Sequence, residues 1–288
     1  MRSAPFAYWG SKVRMAPWII DRLPAHDHFV EACAGSAAVM AAKPPVAGET
    51  VNDVYGEVVN FFRVLRAPDL CADLIDRVAF TPYAHAEFIA AGEVMDGGAN
   101  DPVERAWAFF VRMQMAVIPG RSGWSYSSGG GAAAAKANKP GRWATMPAHL
   151  ARAAQRFERV QVTQWDVVDL IRRFDAPGVL FFVDPPYIEE SRPRSTGASS
   201  AYEHDTFDHE RFLGAVQSSR HASFAVTHYP HPFYDAAFAV AGDYESHRNI
   251  PNGEGRARQV ERLYVLDRGS SPPDGSLALF AQPDGVQP

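Results

Sequence analysis

The sequence predicts an α/β chain built on a mixed, mainly parallel sheet. Three observations carry that expectation. Apolar runs of strand length alternate with helical patterns over residues 1–67 and again after residue 160. Residues 178–183, GVLFFV, form an unbroken apolar run, as a central parallel strand covered on both faces requires. Hydrophobic residues make up 47% of the 288, enough for a sizeable core.

Taken in order, a helical pattern begins near Lys12 and runs through residues 18–23. Residues 28–30, HFV, are a short buried strand, followed by the small-residue turn ACAGS at 32–36. Helix is expected over 37–42, stopped by Pro44 and Pro45. A second strand at 49–52 ends in Asp53, and an apolar helix follows at 58–65. From Pro68 to Arg159 the rhythm changes. Helices are expected around 71–78, 84–94 and 103–117, with no convincing strand between them. Residues 119–147 then read as a long loop rich in Gly, Ser and Ala, and a loop of that length is usually functional or mobile. Strand and helix resume at 160–162 and 167–174, and continue more weakly through 209–216, 223–226, 233–240 and 262–266. The expected organisation is a discontinuous domain of residues 1–67 and 160–267, a helical insertion at 68–159, and a disordered tail at 268–288 rich in Pro, Gly and Ser.

Composition narrows the function. The net charge of −5 argues weakly against a polyanion partner, but it is unevenly spread. Residues 105–159 hold nine basic side chains against one acid, Glu158. Local fields decide docking, so this segment is a candidate nucleic-acid surface, with a solvated basic face as the alternative. Arg121, Lys136, Lys139 and Arg142 lie in or beside the Gly/Ser-rich loop and are the expected phosphate or base contacts. Two cysteines, Cys33 and Cys71, exclude a disulfide scaffold and a four-Cys zinc site, and point to a reducing, cytoplasmic compartment. The ten histidines show no metal-ligand spacing, so no metal is expected. No run reaches signal-peptide or membrane-span length.

Four motifs carry chemistry. Asp184-Pro185-Pro186-Tyr187 directly follows the strongest strand, where open α/β sheets bind ligands. The prolines fix the backbone and lack N–H donors, leaving carbonyl acceptors beside a carboxylate and an aromatic face. That set suits a planar ring bearing an amino group; an ordinary strand-to-loop turn is the competing account. Residues 29–39, FVEACAGSAAV, form a strand, a tight turn and a helix, whose N-terminus offers free N–H donors to a ligand. Asp53 at the second strand's end is placed to accept from ribose hydroxyls, or to cap the next helix. Tyr8 to Lys12, YWGSK, sets an aromatic pair and a cation before the first helix. Cys33 reads as a small core residue rather than a nucleophile. Thr227-His228-Tyr229-Pro230 follows a late strand and is a weaker pocket candidate, with a loop histidine as the plainer account.

In this order, from Tyr8 to about Leu266, the motifs resemble the DNA adenine methylase family, which methylates the N6 amine of adenine using S-adenosylmethionine. YWGSK is similar to its N-terminal cofactor motif and FVEACAGSAAV to its first motif. NDVYGEVVNFFRVLR is similar to its acidic second motif, and DPPY to its catalytic motif. The resemblance implies a Rossmann-like methyltransferase sheet with a helical target-recognition insertion, acting on double-stranded DNA. It implies cofactor contacts from Tyr8, Lys12, Glu31, Gly35, Asp53 and Asp184, with Asp166 aligned less securely. It assigns Asp184, Pro185, Pro186 and Tyr187 to catalysis on a base flipped from the duplex. A cognate restriction endonuclease is a further partner it allows. The chain departs from the family where Ala32 and Cys33 replace the usual Pro and Phe, and where Ala37 stands in place of a frequent Gly. The stretch RMQMAVIPGRSGWSYS does not match members that read GATC, so that site is not implied. Two alternatives stay open: a methyltransferase of RNA or protein amides, and a DNA-binding protein with a degenerate methylase core.

Overall fold

The computed structural model describes residues 4–120, 123–127, 138–188, 207–249 and 256–269. Arg121, Lys136 and all but the first two residues of the expected tail lie outside the described residues.

The chain begins with α1 (Ala16–Ile20), β1 (His28–Glu31), α2 (Ala38–Ala42), β2 (Gly48–Asn52) and α3 (Gly56–Arg66). Among the described residues five helices follow: α4 (Pro68–Phe80), α5 (His85–Gly97), α6 (Pro102–Met115), α7 (Lys139–Trp143) and α8 (Met146–Phe157). The sheet resumes with β3 (Gln161–Thr163), α9 (Val167–Phe174), β4 (Val179–Val183), α10 (His209–Ser218), β5 (Ser223–His228), α11 (Pro232–Asp235), β6 (Ala239–Asn249) and β7 (Arg256–Leu266).

The sheet has seven strands in the order β3-β2-β1-β4-β5-β7-β6. The pairs β2/β3, β1/β2, β1/β4 and β4/β5 are parallel, and β7 is antiparallel to both β5 and β6. This is the expected Rossmann-like sheet, doubly wound through β5 and finished by a hairpin. Its strand order reverses between β1 and β4, which opens a crevice at their carboxyl ends. Side chains alternate between two cores, as strand geometry demands. Phe29, Leu180, Phe182 and Ala225 face α2–α6 and α8, whereas Val30, Phe181, Val183 and Phe224 face α9–α11.

The helices of 68–159 share the first core. Phe109 of α6 lies 5.0 Å from Phe6 and Phe110 stacks on Phe61 of α3 at 5.9 Å. Trp107 and Trp143 both donate their indole N–H to Thr81, at 2.8 and 2.6 Å, so α6 and α7 are tied to the end of α4.

Three expectations change. The long loop is interrupted on its C-terminal side by α7, which carries Lys139 and Arg142; Pro140 suits a first helical turn, and the Asn138 side chain accepts from Gly141 N at 2.9 Å. His228 is not in a loop but ends β5, fully buried. The hairpin β6–β7 extends well beyond the weak segments expected at 233–240 and 262–266. Pairing of β5 with β7 ends at His228↔Arg262, so residues 244–249 and 256–261 pair only with each other. Without a third strand to bury one face, that half shows no apolar alternation.

Candidate active site

The carboxyl ends of the parallel strands open onto a cavity of about 930 Å³. Every residue that the family resemblance implied for cofactor contact borders it. The turn after β1 forms the floor. Gly35 has φ +46° there, and a Cβ at this position would meet the Tyr8 ring at 2.7 Å. The site therefore requires glycine both for its left-handed backbone and for the close approach of Tyr8. Ala37 is also left-handed, at φ +49° and ψ +47°, the one such non-glycine among the described residues. The family's frequent glycine at this place has that conformational reason.

Asn52 ties three strand ends together. Its amide donates to Ala32 O at 2.9 Å and Trp165 O at 3.0 Å, and its oxygen accepts from Thr163 Oγ1 and Trp165 N. Fully buried and fully bonded, it is structural. Asp53 beside it accepts from Gly35 N at 2.8 Å and from Tyr55 N at 2.9 Å. Tyr55, not Asp53, is the N-cap of α3 and no side chain caps that helix, so the Asp53 bond to Tyr55 N closes a turn ahead of it, and the carboxylate borders the cavity. Asp166 caps α9 through Val168 N and pairs with Arg211 of α10 at 2.9 Å.

Glu31 is turned toward the start of α2, accepting from Met40 N at 2.8 Å and Val39 N at 3.4 Å. Burial pushes its carboxyl up to about 8 against the pull of those two donors, with the Asp184 charge adding to the rise. Cys33 borders the cavity, and burial, then the charges of Asp53, Asp184 and Asp166, push its thiol well above the usual range, which disfavours the thiolate that a nucleophile needs.

Asp184 stands at the end of β4 with its side chain 21% exposed. Lys12 donates to its Oδ2 at 2.7 Å and Thr227 of β5 donates to its Oδ1 at 2.7 Å. Burial raises its carboxyl above the ordinary range, and Lys12 and Thr227 oppose that rise. Pro185 is buried and Pro186 borders the cavity. Tyr187 follows, its ring 4.8 Å from His228 and 4.6 Å from Tyr229, its hydroxyl donating to Glu261 of β7 at 2.8 Å. His228 Nε2 accepts from Ile188 N at 2.9 Å, which fixes the chain just past the motif.

Several wall residues escaped sequence reasoning. Ile89 and Asp96 of α5, Arg112 and Met113 of α6, and Phe207 before α10 all border the cavity. Helical periodicity identified buried faces but not the partner each would meet. Glu261 lies on a strand that no motif included, whereas Thr227 belongs to the weaker pocket candidate at 227–230 and bonds Asp184. Of the basic residues, Arg105 pairs with Glu57 and Arg156 with the buried Glu49, so both serve the fold. Arg142 is exposed and Lys139 half-buried on α7.

Among the described residues, seven acidic side chains line the cavity, Glu31 of them favouring its neutral form, against three cations, Lys12, Arg112 and Arg211. A pyrophosphate would meet net repulsion here, whereas a cationic nucleoside with ribose hydroxyls to donate fits the acceptor set. Among the described residues, no cluster of His, Cys, Asp and Glu could hold a metal, and no helix is long and apolar enough to cross a membrane.

Among protein families, the D12 class N6 adenine-specific DNA methyltransferase model matches residues 8–254. No curated protein matches. Among solved structures, SMU.472, described as a methyltransferase and complexed with SAH, is similar at 13% identity with a TM-score of 0.24. That match covers 67% of this chain and 55% of the other, so the chain spans little more than half the length of that protein.

Proposed function

This chain belongs to the D12 class N6 adenine-specific DNA methyltransferase family, and from that premise we propose that it methylates the N6 amine of adenine in double-stranded DNA with S-adenosylmethionine as donor. The observation that carries the reading is Asp184, which borders an acidic cavity and is held by Lys12 from the segment before α1 and by Thr227 of β5.

When bound, S-adenosylmethionine supplies an electrophilic methyl group on a sulfonium. Asp53 would accept from its ribose, Asp166 from its adenine amine, and the turn at Gly35 would let it approach the backbone; Tyr8 and Lys12 close that side of the cavity. Adenine stacked in a duplex cannot reach Asp184, so the base is flipped into the crevice. There the Asp184 carboxylate and the Pro185 carbonyl accept its two N–H bonds, and Tyr187 provides a face for the ring. Those acceptors localise the amine lone pair on nitrogen and stabilise the positive charge that grows as the N–C bond forms. The nitrogen would gain the methyl group as the S–C bond to it breaks, that bond's electron pair staying on sulfur, and shed one proton to water. Because no covalent enzyme adduct is needed, positioning carries much of the rate.

The segment 68–159 is assigned to DNA recognition, with Arg121, Lys136, Lys139 and Arg142 on phosphates or base edges. The cytoplasm is the assigned compartment, and a cognate endonuclease the assigned companion. Methylation-sensitive sequencing of DNA from cells expressing the chain tests activity, base and site together. N6-methyladenine at a defined sequence is expected; its absence from all DNA overturns the assignment.

A further inference from the structure

One lysine serves two carboxylates in this site. The Lys12 ammonium lies 2.7 Å from Asp184 Oδ2 and 3.4 Å from Glu261 Oε2, and the three side chains are 9, 21 and 15% exposed. Glu261 comes from β7, a strand outside all four motifs. It also accepts the Tyr187 hydroxyl at 2.8 Å, and Lys12 sits over the Tyr187 ring at 5.2 Å. Thr227 holds the other oxygen of Asp184, at 2.7 Å.

This arrangement answers a difficulty in the proposed reaction, on which the inference rests. Asp184 must accept an N–H from the target amine, and the Lys12 ammonium 2.7 Å from its Oδ2 weakens that oxygen as an acceptor. Loosening that ion pair with no second counter-charge in reach is strongly unfavourable for a poorly hydrated cation. A second carboxylate removes that barrier, because the ammonium shortens one contact as it lengthens the other. Thr227 meanwhile keeps the Asp184 plane oriented. We propose that Glu261 is a positioning residue, the second counter-ion onto which Lys12 moves when Asp184 takes the amine, and the anchor of the Tyr187 hydroxyl.

Among the described residues the groups facing Asp184 are Lys12, Thr227, Tyr187 and Glu261, and on the β1 side Glu31 and Cys33 are near enough for the Asp184 charge to raise both. Of these, Glu261 adds to the upward displacement of the Asp184 carboxyl. Neutralising Glu261 therefore favours the Asp184 anion, but it also fastens Lys12 to it.

The test uses the purified full chain and genomic DNA from a methylase-deficient bacterium, following methyl incorporation from labelled S-adenosylmethionine. Glu261→Gln keeps an acceptor for Tyr187 and removes only the charge. It is expected to lower kcat by about 10- to 100-fold while KM for DNA and cofactor stays within about twofold. The acid limb of its kcat profile moves to lower pH. Glu261→Asp, which retains the anion, recovers part of the rate. Melting temperature and calorimetric affinity for sinefungin, a non-reactive cofactor analogue, stay near wild type in both. Wild-type kcat in Glu261→Gln overturns the inference, as does a loss that tracks melting temperature or KM, or a Glu261→Asp variant as slow as the amide. Failure of the wild-type chain to methylate any DNA instead removes the methyltransferase reading, and this inference with it.

Discussion

Asp53 and Asp184 occupy equivalent places, at the carboxyl ends of β2 and β4, yet they are held in opposite ways. Asp53 takes backbone N–H donors, from Tyr55 two residues on and from Gly35 eighteen residues back. Asp184 takes side-chain donors, from Lys12 and Thr227, separated from it by 172 and 43 residues. Backbone donors hold a carboxylate rigidly, whereas a lysine and a threonine can exchange as partners. On the proposed function, the first suits an acid that binds the cofactor and the second one whose acceptor duty arises during reaction.

The strongest way to break that contrast is Asp184→Ala. Loss of an acceptor for developing charge costs ~3 kcal/mol, a rate loss of about 100-fold or more. The fold should survive, since Lys12 retains Glu261. Methyl transfer near the wild-type rate would mean that Asp184 is a strand-end ornament.

Gly35→Ala attacks the backbone that holds Asp53. The added Cβ meets the Tyr8 ring at 2.7 Å on a left-handed residue. Strain and overpacking together cost about 2–3 kcal/mol. Urea unfolding should show that loss alongside weaker cofactor binding; an unchanged midpoint would contradict the close approach.

Asp53→Ala should weaken cofactor binding more than DNA binding, by roughly 1.5–3 kcal/mol for a charge-assisted hydrogen bond. Calorimetry that finds equal cofactor affinity would leave Asp53 with its backbone role alone.

Glu31 sharpens the comparison as a third acid, held by backbone donors but buried. Its folded carboxyl stands at about 8 against an ordinary 4.5. The folded state therefore binds more protons than the unfolded state between those values. Glu31's contribution to stability is full below the lower value and is lost as pH rises through the upper one, at up to about 1.4 kcal/mol per pH unit. Glu31→Gln should flatten the stability profile over that window. An unaltered slope would place the pH dependence on another group.

Ala37→Gly is the smallest case. Relief of the left-handed residue is worth ~1–2 kcal/mol, offset by a lost buried methyl of ~0.8 and by glycine entropy of up to ~1. The expected net change is under ~1 kcal/mol, with cofactor affinity unaltered. A larger gain would mean that the alanine strains the turn more than its conformation implies.

Much of this was visible before any coordinates. The run GVLFFV announces a strand buried on both faces, and β4 alternates its side chains between two cores. Small residues after β1, and acids after β2 and β4, mark the cavity floor because a strand's end and the turn after it are local events. The distal half of β6–β7 was hidden because it lacks the third strand that would impose apolar alternation. The helices α5 and α6 were expected, but their place as a cavity wall was not, since periodicity orients a helix without naming its neighbour.

The four motifs, the strand ends and the acid at each were settled by residue type and spacing, because turns, caps and strand termination depend on neighbours a few positions away. Which side chains complete those acids was decided by the sheet order. Only when β4 lies beside β5, and β5 beside β7, do Thr227 and Glu261 reach the Asp184 and Tyr187 side chains. Only when the chain before α1 crosses that edge does Lys12 arrive between two carboxylates. Contacts across such separations come from packing the whole sheet between its two cores, and no local pattern encodes them.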